Sequence, residues 1–578
     1  MPDAIEPAHG FRYDCCMTRG QDLRNVPDAG RGWAAWGAAL VALASFAAFL
    51  PALGNGWVNW DDGVYLLENP HFRGLSVRHL LWMFTTTWSG VYQPLPWLTY
   101  AADYKLWGLN PAGYHLTSLL FHCANAVLAF WLARRLFVLC REPESPRQAA
   151  ALEAAAMFAA LAFAVHPLRV ESVAWAWERR DVVCGTFSLA CVLAALRARE
   201  KGSGPALAMT FFAAALLSKA LAVTLPLTLL ILDGYPLRRI PGAPRRWLRG
   251  TARSVWLEKI PYLLLALGMG LFALWAQAEN RALWSFAQHG LPGRFAQAAY
   301  GAMFYVGKTI FPFGLAPIYE MPAHPGALGP APGLAAAGFA LTTLLAWRLR
   351  RKQPGLLAAW LCYLAALAPV LGLLQAGSQL VADRYSYLSC LPWALLAAGW
   401  LRRRLEGNRW PRAGAAAAAL ILALGSLAWR QTRIWKGPLT LWARALEASP
   451  QSPVAQLQMG VALAQAGRTG EAAARFAESL RLNPVCVEAE DALMQASAGR
   501  KPPADAPRLL RILDTNPVCR QARRNWFTAR AALGDLDGAI AYFDGLARLQ
   551  PRDAGARANL ERARREKASR IGRGPGRP

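Results

Sequence analysis

Two adjacent carboxylates, Asp61 and Asp62, stand in the segment Gly56-Trp57-Val58-Asn59-Trp60-Asp61-Asp62-Gly63-Val64-Tyr65, just beyond the first long apolar stretch. A carboxylate held at a membrane surface can take the proton of an acceptor hydroxyl while that oxygen attacks a sugar carbon. The plain alternative is an Asp-Asp-Gly turn closing a helix, which any loop can carry. The aromatic surroundings and the place beside an apolar stretch favour the chemical reading.

A second group is denser. Between His166 and Asp181 the chain reads His-Pro-Leu-Arg-Val-Glu-Ser-Val-Ala-Trp-Ala-Trp-Glu-Arg-Arg-Asp, which is seven ionisable residues in sixteen. At the mouth of two membrane spans such groups are costly unless they pair with one another or with a ligand. Arg179 and Arg180 could grip a phosphate with forked hydrogen bonds, and Glu171 could orient an acceptor or hold the arginines. A salt-bridge cluster that only fixes the loop is the equal alternative. Two further cations are Lys219, in Leu217-Ser218-Lys219, and Arg384, in Ala382-Asp383-Arg384-Tyr385-Ser386-Tyr387. A lipid phosphate carries its charge at that depth. Snorkelling is the bland alternative, less suited to Arg384 because Asp383, Tyr385 and Tyr387 accompany it.

His71, His79, His115, His122 and His166 show no metal-ligand spacing and read as structural. The 10 cysteines include no pair with the two-residue spacing of a zinc or redox site. Cys486 and Cys519 recur in the tetrapeptide Asn-Pro-Val-Cys; a repeat coincidence is preferred there to a disulfide. No metal and no cofactor are expected.

These groups must be positioned by membrane helices. The 578 residues are 55% apolar and 11% aromatic with 24 Trp, against 17% charged, an excess of apolar residues that soluble domains rarely carry. A net charge of +27 would suggest nucleic acid in a soluble chain, but here the basic residues fall between apolar stretches and report topology. Such stretches lie near 33–53, 115–139, 150–166, 182–197, 205–218, 220–234, 260–277, 331–348, 355–376, 385–401 and 413–429. That predicts about 11 spans of an all-α bundle. Residues 1–32 read as a cytoplasmic segment ahead of an uncleaved first span.

Basic residues at 134–147, 197–201, 238–259, 348–352 and 402–412 all become cytoplasmic if the N-terminus is cytoplasmic. The loops holding Asp61, Glu171 and Arg384 then face outward, as does the segment after Trp429. The stretch 295–315, apolar but carrying Lys308, reads as re-entrant or interfacial.

From 437 to 565 Ala, Leu, Arg and Glu alternate at helical spacing, with Pro450, Pro484, Pro517 and Pro551 separated by 34, 33 and 34 residues. This is the tetratricopeptide period. Gly460, Ala472 and Phe476 in one unit, and Phe527, Ala539 and Phe543 in another, occupy its small and aromatic positions. The unit 486–519 is degenerate, and the Lys-, Arg- and Gly-rich residues 566–578 read as a disordered tail.

With Val58-Asn59-Trp60-Asp61-Asp62, Asn110-Pro111-Ala112-Gly113-Tyr114-His115-Leu116, the His166 to Asp181 loop, Leu217-Ser218-Lys219, Asp383-Arg384-Tyr385 and the repeats together, the chain resembles the transmembrane and tetratricopeptide-repeat (TMTC) family over residues 33–565. That family is related to protein O-mannosyltransferases of GT-C architecture. The resemblance implies a GT-C-like domain at 33–430 followed by a short α-solenoid. It also implies metal-independent, inverting transfer of a sugar, mannose first, from a polyprenyl-phosphate donor to a protein or glycan hydroxyl. The family's acidic pair matches Asp61 and Asp62, with Asp61 the preferred base. Glu171, Arg179, Arg180, Lys219, Asp383, Arg384 and Tyr385 are the candidates for donor phosphate or acceptor. The setting is a bacterial inner membrane, with the repeats outside it and offered to an acceptor or a protein partner. A non-catalytic scaffold recruiting envelope-assembly partners is the competing reading. A transporter or flippase ranks last, because the charges crowd the outer ends of the spans rather than mid-membrane depth.

Overall fold

The computed structural model describes residues 29–241, 247, 251–280, 282–286, 289–321, 329–377, 379–407, 410–482, 536–549 and 554–572. Most of the N-terminal segment, the repeat unit 486–519 with both of its cysteines, Phe527 and the end of the tail lie outside the described residues.

The predicted apolar stretches fall on helices, except that 355–376 is helical only to Val370 and then leaves the helix. The long ones are α1 (Ala29–Phe49), α4 (Pro111–Cys140), α5 (Pro146–Ala164), α7 (Arg179–Lys201), α10 (Thr251–Glu279) and α16 (Trp410–Thr432). Among the described residues these six regions are long and apolar enough to cross a membrane by length and composition, and shorter apolar helices cover 206–216, 220–234 and 354–370. The stretch 295–315 is a regular helix, α11 (Leu291–Ile310), with Arg294 and Gln297 buried along it.

Local sequence explains the helix starts. Asn110 accepts from the Ala112 amide ahead of Pro111, and Ser145 accepts from the Gln148 amide ahead of Pro146. Inside the bundle the packing residues are small. Ala155, Ala156, Ala159, Ala160 and Ala164 of α5 are buried where α4 and α15 (Leu391–Glu406) approach. In lipid, where apolar burial drives little association, close backbone approach through small residues supplies the contact.

At the Lys201 end of α7 an ion-pair network joins three helices. Asp233, fully buried, meets Arg199 at 2.9 Å, Arg239 at 2.7 Å and Lys259, while Glu258 meets Arg199 at 2.9 Å and Arg239 at 2.7 Å. It clamps α7 to α9 (Leu225–Gly234) and α10, so the other end of α7 sits on a fixed support.

The loops at the Arg179 end carry structure of their own. Residues 54–110 form two short helices, α2 (Val77–Thr85) and α3 (Pro94–Trp107). A two-stranded antiparallel ribbon pairs Tyr319–Glu320 with Gln379–Val381, which delivers the chain to Asp383. Beyond the bundle, α17 (Pro438–Ala448), α18 (Pro453–Gln465) and α19 (Thr469–Leu482) pack each on the next. A last helix pair, Leu536–Leu549 and Ala554–Gly572, carries helix seven residues into the stretch read from sequence as a disordered tail.

Candidate active site

Asp61 and Asp62 lie in the turn that follows the end of α1, and the turn separates their roles. Asp62 is 1% exposed, and both of its oxygens are occupied: Oδ2 accepts from the Val58 amide at 3.0 Å and Oδ1 from the Trp177 amide at 3.2 Å. Burial pushes its pKa up to about 7, opposed by those two backbone donors. Such a carboxylate ties its own loop to the 175–178 turn. The Asp61 carboxylate makes no hydrogen bond among the described residues, although it is buried enough that desolvation raises its pKa to about 6. Arg180 and then Arg384 oppose that rise, and the charge of Glu178 adds to it. Asp61 therefore has a raised basicity and an uncommitted side chain, which suits proton abstraction.

The cations divide into two sets. Arg179, which is fully buried, pairs with Asp103 of α3 and donates to the Tyr114 carbonyl at 2.7 Å, Ser118 at 3.2 Å and Thr99 at 3.2 Å, with its guanidinium 4.5 Å over the Tyr100 ring. Its fork is committed to joining α7, α3 and α4. Arg180, Lys219 and Arg384, in contrast, converge on one carboxylate, Glu178. Lys219 reaches it at 3.1 Å and Arg384 at 3.2 Å, while Arg180 grips it with Nε at 3.0 Å and with Nη2. Lys219 also meets Asp181 at 2.5 Å, and Arg384 pairs with Glu171, whose Oε2 accepts from the Arg384 amide at 2.8 Å. Arg180 and Lys219 keep 14% and 15% of their side-chain surface exposed against none for Arg179, so these two can meet a ligand.

The hub of this arrangement is Glu178, in the 166–181 loop but not among the candidates its sequence suggests; a carboxylate flanked by Trp177 and two arginines gives no sign that three cations from three segments meet on it. Asp181 was likewise missed. Asp383 accepts from the Tyr319 hydroxyl at 3.1 Å, and burial, followed by the nearby Glu171 charge, holds its carboxyl well above the ordinary range. It steadies the ribbon rather than joining the cations. Tyr385 offers its ring to Arg384 at 5.0 Å and accepts from Gln379 at 2.9 Å.

The division of the cations can be tested. Arg179→Ala is expected to strip a buried pair of one partner and cost about 3–5 kcal/mol of stability. Protein that survives in lipid should keep its wild-type affinity for anionic ligand. Arg180→Ala should do the reverse, with a small change in melting temperature and a large loss of ligand affinity.

Beside the cation cluster an apolar cavity lies along α7. Its lining includes Asp181, which Lys219 meets, and Tyr385, whose ring faces Arg384, together with Cys184, Ser188, Leu189 and Val192 of α7, Leu132 and Leu136 of α4 and Leu395 of α15. From Asp181 to Val192 is about 16 Å of helix. An apolar cavity with a cation cluster beside its Asp181 end fits a ligand with an anionic head and a hydrocarbon tail.

No family model matches the chain, and no solved structure matches it. Curated proteins do. Over 187 residues the chain is 28% identical to protein O-mannosyl-transferase TMTC4 of Homo sapiens, covering 31% of this chain and 25% of that protein. Over 191 residues it is 30% identical to protein O-mannosyl-transferase Tmtc1 of Drosophila melanogaster, covering 31% and 20%. A protein O-mannosyl-transferase of Caenorhabditis elegans is 22% identical over 473 residues, 75% of this chain and 61% of that protein. The human and fly matches thus span a quarter or less of the relatives' own length.

Proposed function

With the TMTC protein O-mannosyl-transferases as its relatives, we propose that this chain transfers a sugar, mannose first, from a polyprenyl-phosphate donor to a hydroxyl of a protein or glycan at the outer face of a membrane. The observation that carries the reading is the cluster of Arg180, Lys219 and Arg384 beside an apolar cavity whose lining includes Asp181 and Tyr385, with an uncommitted carboxylate, Asp61, near those cations.

The chemistry follows from those positions. The acceptor O–H gives its proton to the Asp61 carboxylate as its oxygen attacks the anomeric carbon. The bond between that carbon and the phosphate oxygen breaks, and its electron pair leaves with the polyprenyl phosphate. Charge growing on the departing phosphate is met by Arg180, Lys219 and Arg384, which Glu178, Asp181 and Glu171 hold in place before the substrate arrives. The isoprenoid tail lies along Ser188, Leu189 and Val192, so each methylene buried there adds about 0.8 kcal/mol to donor binding.

The test is transfer by purified protein in lipid discs, using donors of graded chain length. Val192→Trp, which narrows the cavity, is expected to raise KM for a long-chain polyprenyl-phosphate mannose at least about tenfold, and to leave KM for a two-isoprene analogue within about twofold. Inactivity of the wild type with every lipid-phosphate hexose, across protein and glycan acceptors, overturns the proposal and returns the scaffold reading.

A further inference from the structure

The carboxylate turn does not stand alone on the membrane domain. Asn59, two residues before Asp61, is bonded on both ends of its amide by helices almost four hundred residues later in the chain. Its Oδ1 accepts from the Trp442 indole at 2.7 Å, and its Nδ2 donates to the Gln458 carbonyl at 3.1 Å and to the Gln458 side chain at 3.3 Å. Trp60 lies between Trp175, stacked at 4.8 Å, and Trp442 at 5.3 Å, while Trp435 stacks on the far side of Trp175 at 5.6 Å. The neighbouring residues agree: the Gly56 amide donates to the Lys436 carbonyl at 2.9 Å, and the Asn55 side-chain Nδ2 donates to the Thr432 carbonyl at 3.1 Å.

The same helix pair touches the other wall of the site. Glu320, on the strand that pairs with 379–381, accepts from the Val454 amide at the start of α18 at 3.1 Å, and Arg444 of α17 donates to the Leu315 carbonyl at 3.1 Å. One element thus contacts both the segment that presents Asp61 and the ribbon that leads to Arg384.

We propose that the helix pair α17–α18 is a built-in part of the transferase site, with Asn59 and Trp442 as positioning residues that hold the Asp61 turn against the cation cluster. This rests on the transferase reading above and adds a second component to it: the segment following the bundle completes the site as well as any acceptor surface it offers. A base displaced by a fraction of an ångström loses alignment with the hydroxyl it must deprotonate, whereas donor contacts at Arg180 and Lys219 are untouched. Displacement also admits water to Asp61. Around that carboxylate Asp62 and Tyr65 move with the turn, Glu178, Arg180 and Arg384 stay on other segments, and desolvation is the largest of the influences on it. The change at Asp61 is therefore a loss of desolvation, which lowers its pKa.

The experiment uses the full chain in lipid discs and two variants, Trp442→Phe, which keeps an aromatic ring and removes the indole donor, and Asn59→Leu, which keeps the branching and removes the polar ends. Arg468→Ala, which breaks an exposed pair with Glu471, is the control. Each positioning variant is expected to lower kcat about tenfold, to leave donor KM within about twofold, and to move the acidic limb of the rate profile down by about one pH unit. Amide hydrogen exchange at residues 56–64 should rise in both variants and not in the control. Unchanged kcat and unchanged exchange overturn the proposal, as does a fall in kcat that tracks melting temperature with the acidic limb unmoved. If the wild type transfers no sugar, the transferase reading falls instead, and exchange at 56–64 alone decides whether the helix pair holds the turn.

Discussion

Asp61→Asn is expected to lower kcat by about two to four orders of magnitude while donor still binds, because the substitution removes the proton acceptor and leaves the phosphate contacts standing. The pH dependence has a definite sign. A base works ionised, and burial raises the Asp61 pKa to about 6, so kcat/KM should fall about tenfold per pH unit below that value and level off above it. Asp62→Asn should behave differently. An amide has one acceptor oxygen, so either the Val58 or the Trp177 amide loses its partner, and a buried orphaned donor costs about 1–3 kcal/mol. That variant should melt earlier and keep part of its activity, with the acidic limb still present. The pair of measurements, a rate profile and a melting curve on each variant, assigns the two carboxylates separately. Equal loss of activity with the same pH profile in both variants would defeat the assignment.

Much of the scaffold was legible because membrane helices advertise themselves. Twenty apolar residues between basic clusters admit few other structures, and among the described residues six regions are helices long and apolar enough to cross a membrane, while the stretch 355–376 is helical only to Val370. The stretch 295–315 reads as re-entrant or interfacial because it carries Lys308; it is helical over most of its length, and Lys308 donates to the Phe313 carbonyl just past the helix end. Arg294, at the start of that helix, is buried and met by the carbonyls of Leu373 and Trp284 at 2.7 Å each and of His289 at 2.8 Å.

The site divides in the same way. Asp61, Arg180, Lys219 and Arg384 could be picked out because a charge beside an apolar span needs a reason to be there. Arg179 meets the same criterion and yet forms a strut, since its partner Asp103 lies in α3, a helix with no apolar stretch of its own to announce it. Glu178 meets that criterion too, but the sequence does not say that three cations would share it; the Asn59–Trp442 bond is the harder case, because nothing about an Asn and a distant Trp is unusual until the fold brings them together.

Arg384 carries the second large expected effect, and its two duties can be separated. Its guanidinium pairs with Glu171 and with Glu178, both 3% exposed or less, and lies 5.6 Å over Trp175. Arg384→Ala leaves Glu171 without its cation. Glu178 still has Arg180 and Lys219, so most of the cost falls on Glu171, about 3–5 kcal/mol for a buried pair broken on one side. Donor affinity should fall as well, at least about tenfold, for loss of a charge-assisted contact to the leaving phosphate. Arg384→Lys should recover more stability than activity, because an ammonium restores charge without the planar fork. The discriminating variant combines Arg384→Met with Glu171→Gln. Removing both ions relieves the unpaired carboxylate, so the melting temperature should return most of the way to wild type. Donor KM should stay raised, because the phosphate has still lost its partner. If the double variant regains wild-type KM along with its stability, Arg384 serves only to hold Glu171, and the phosphate is met by Arg180 and Lys219 alone.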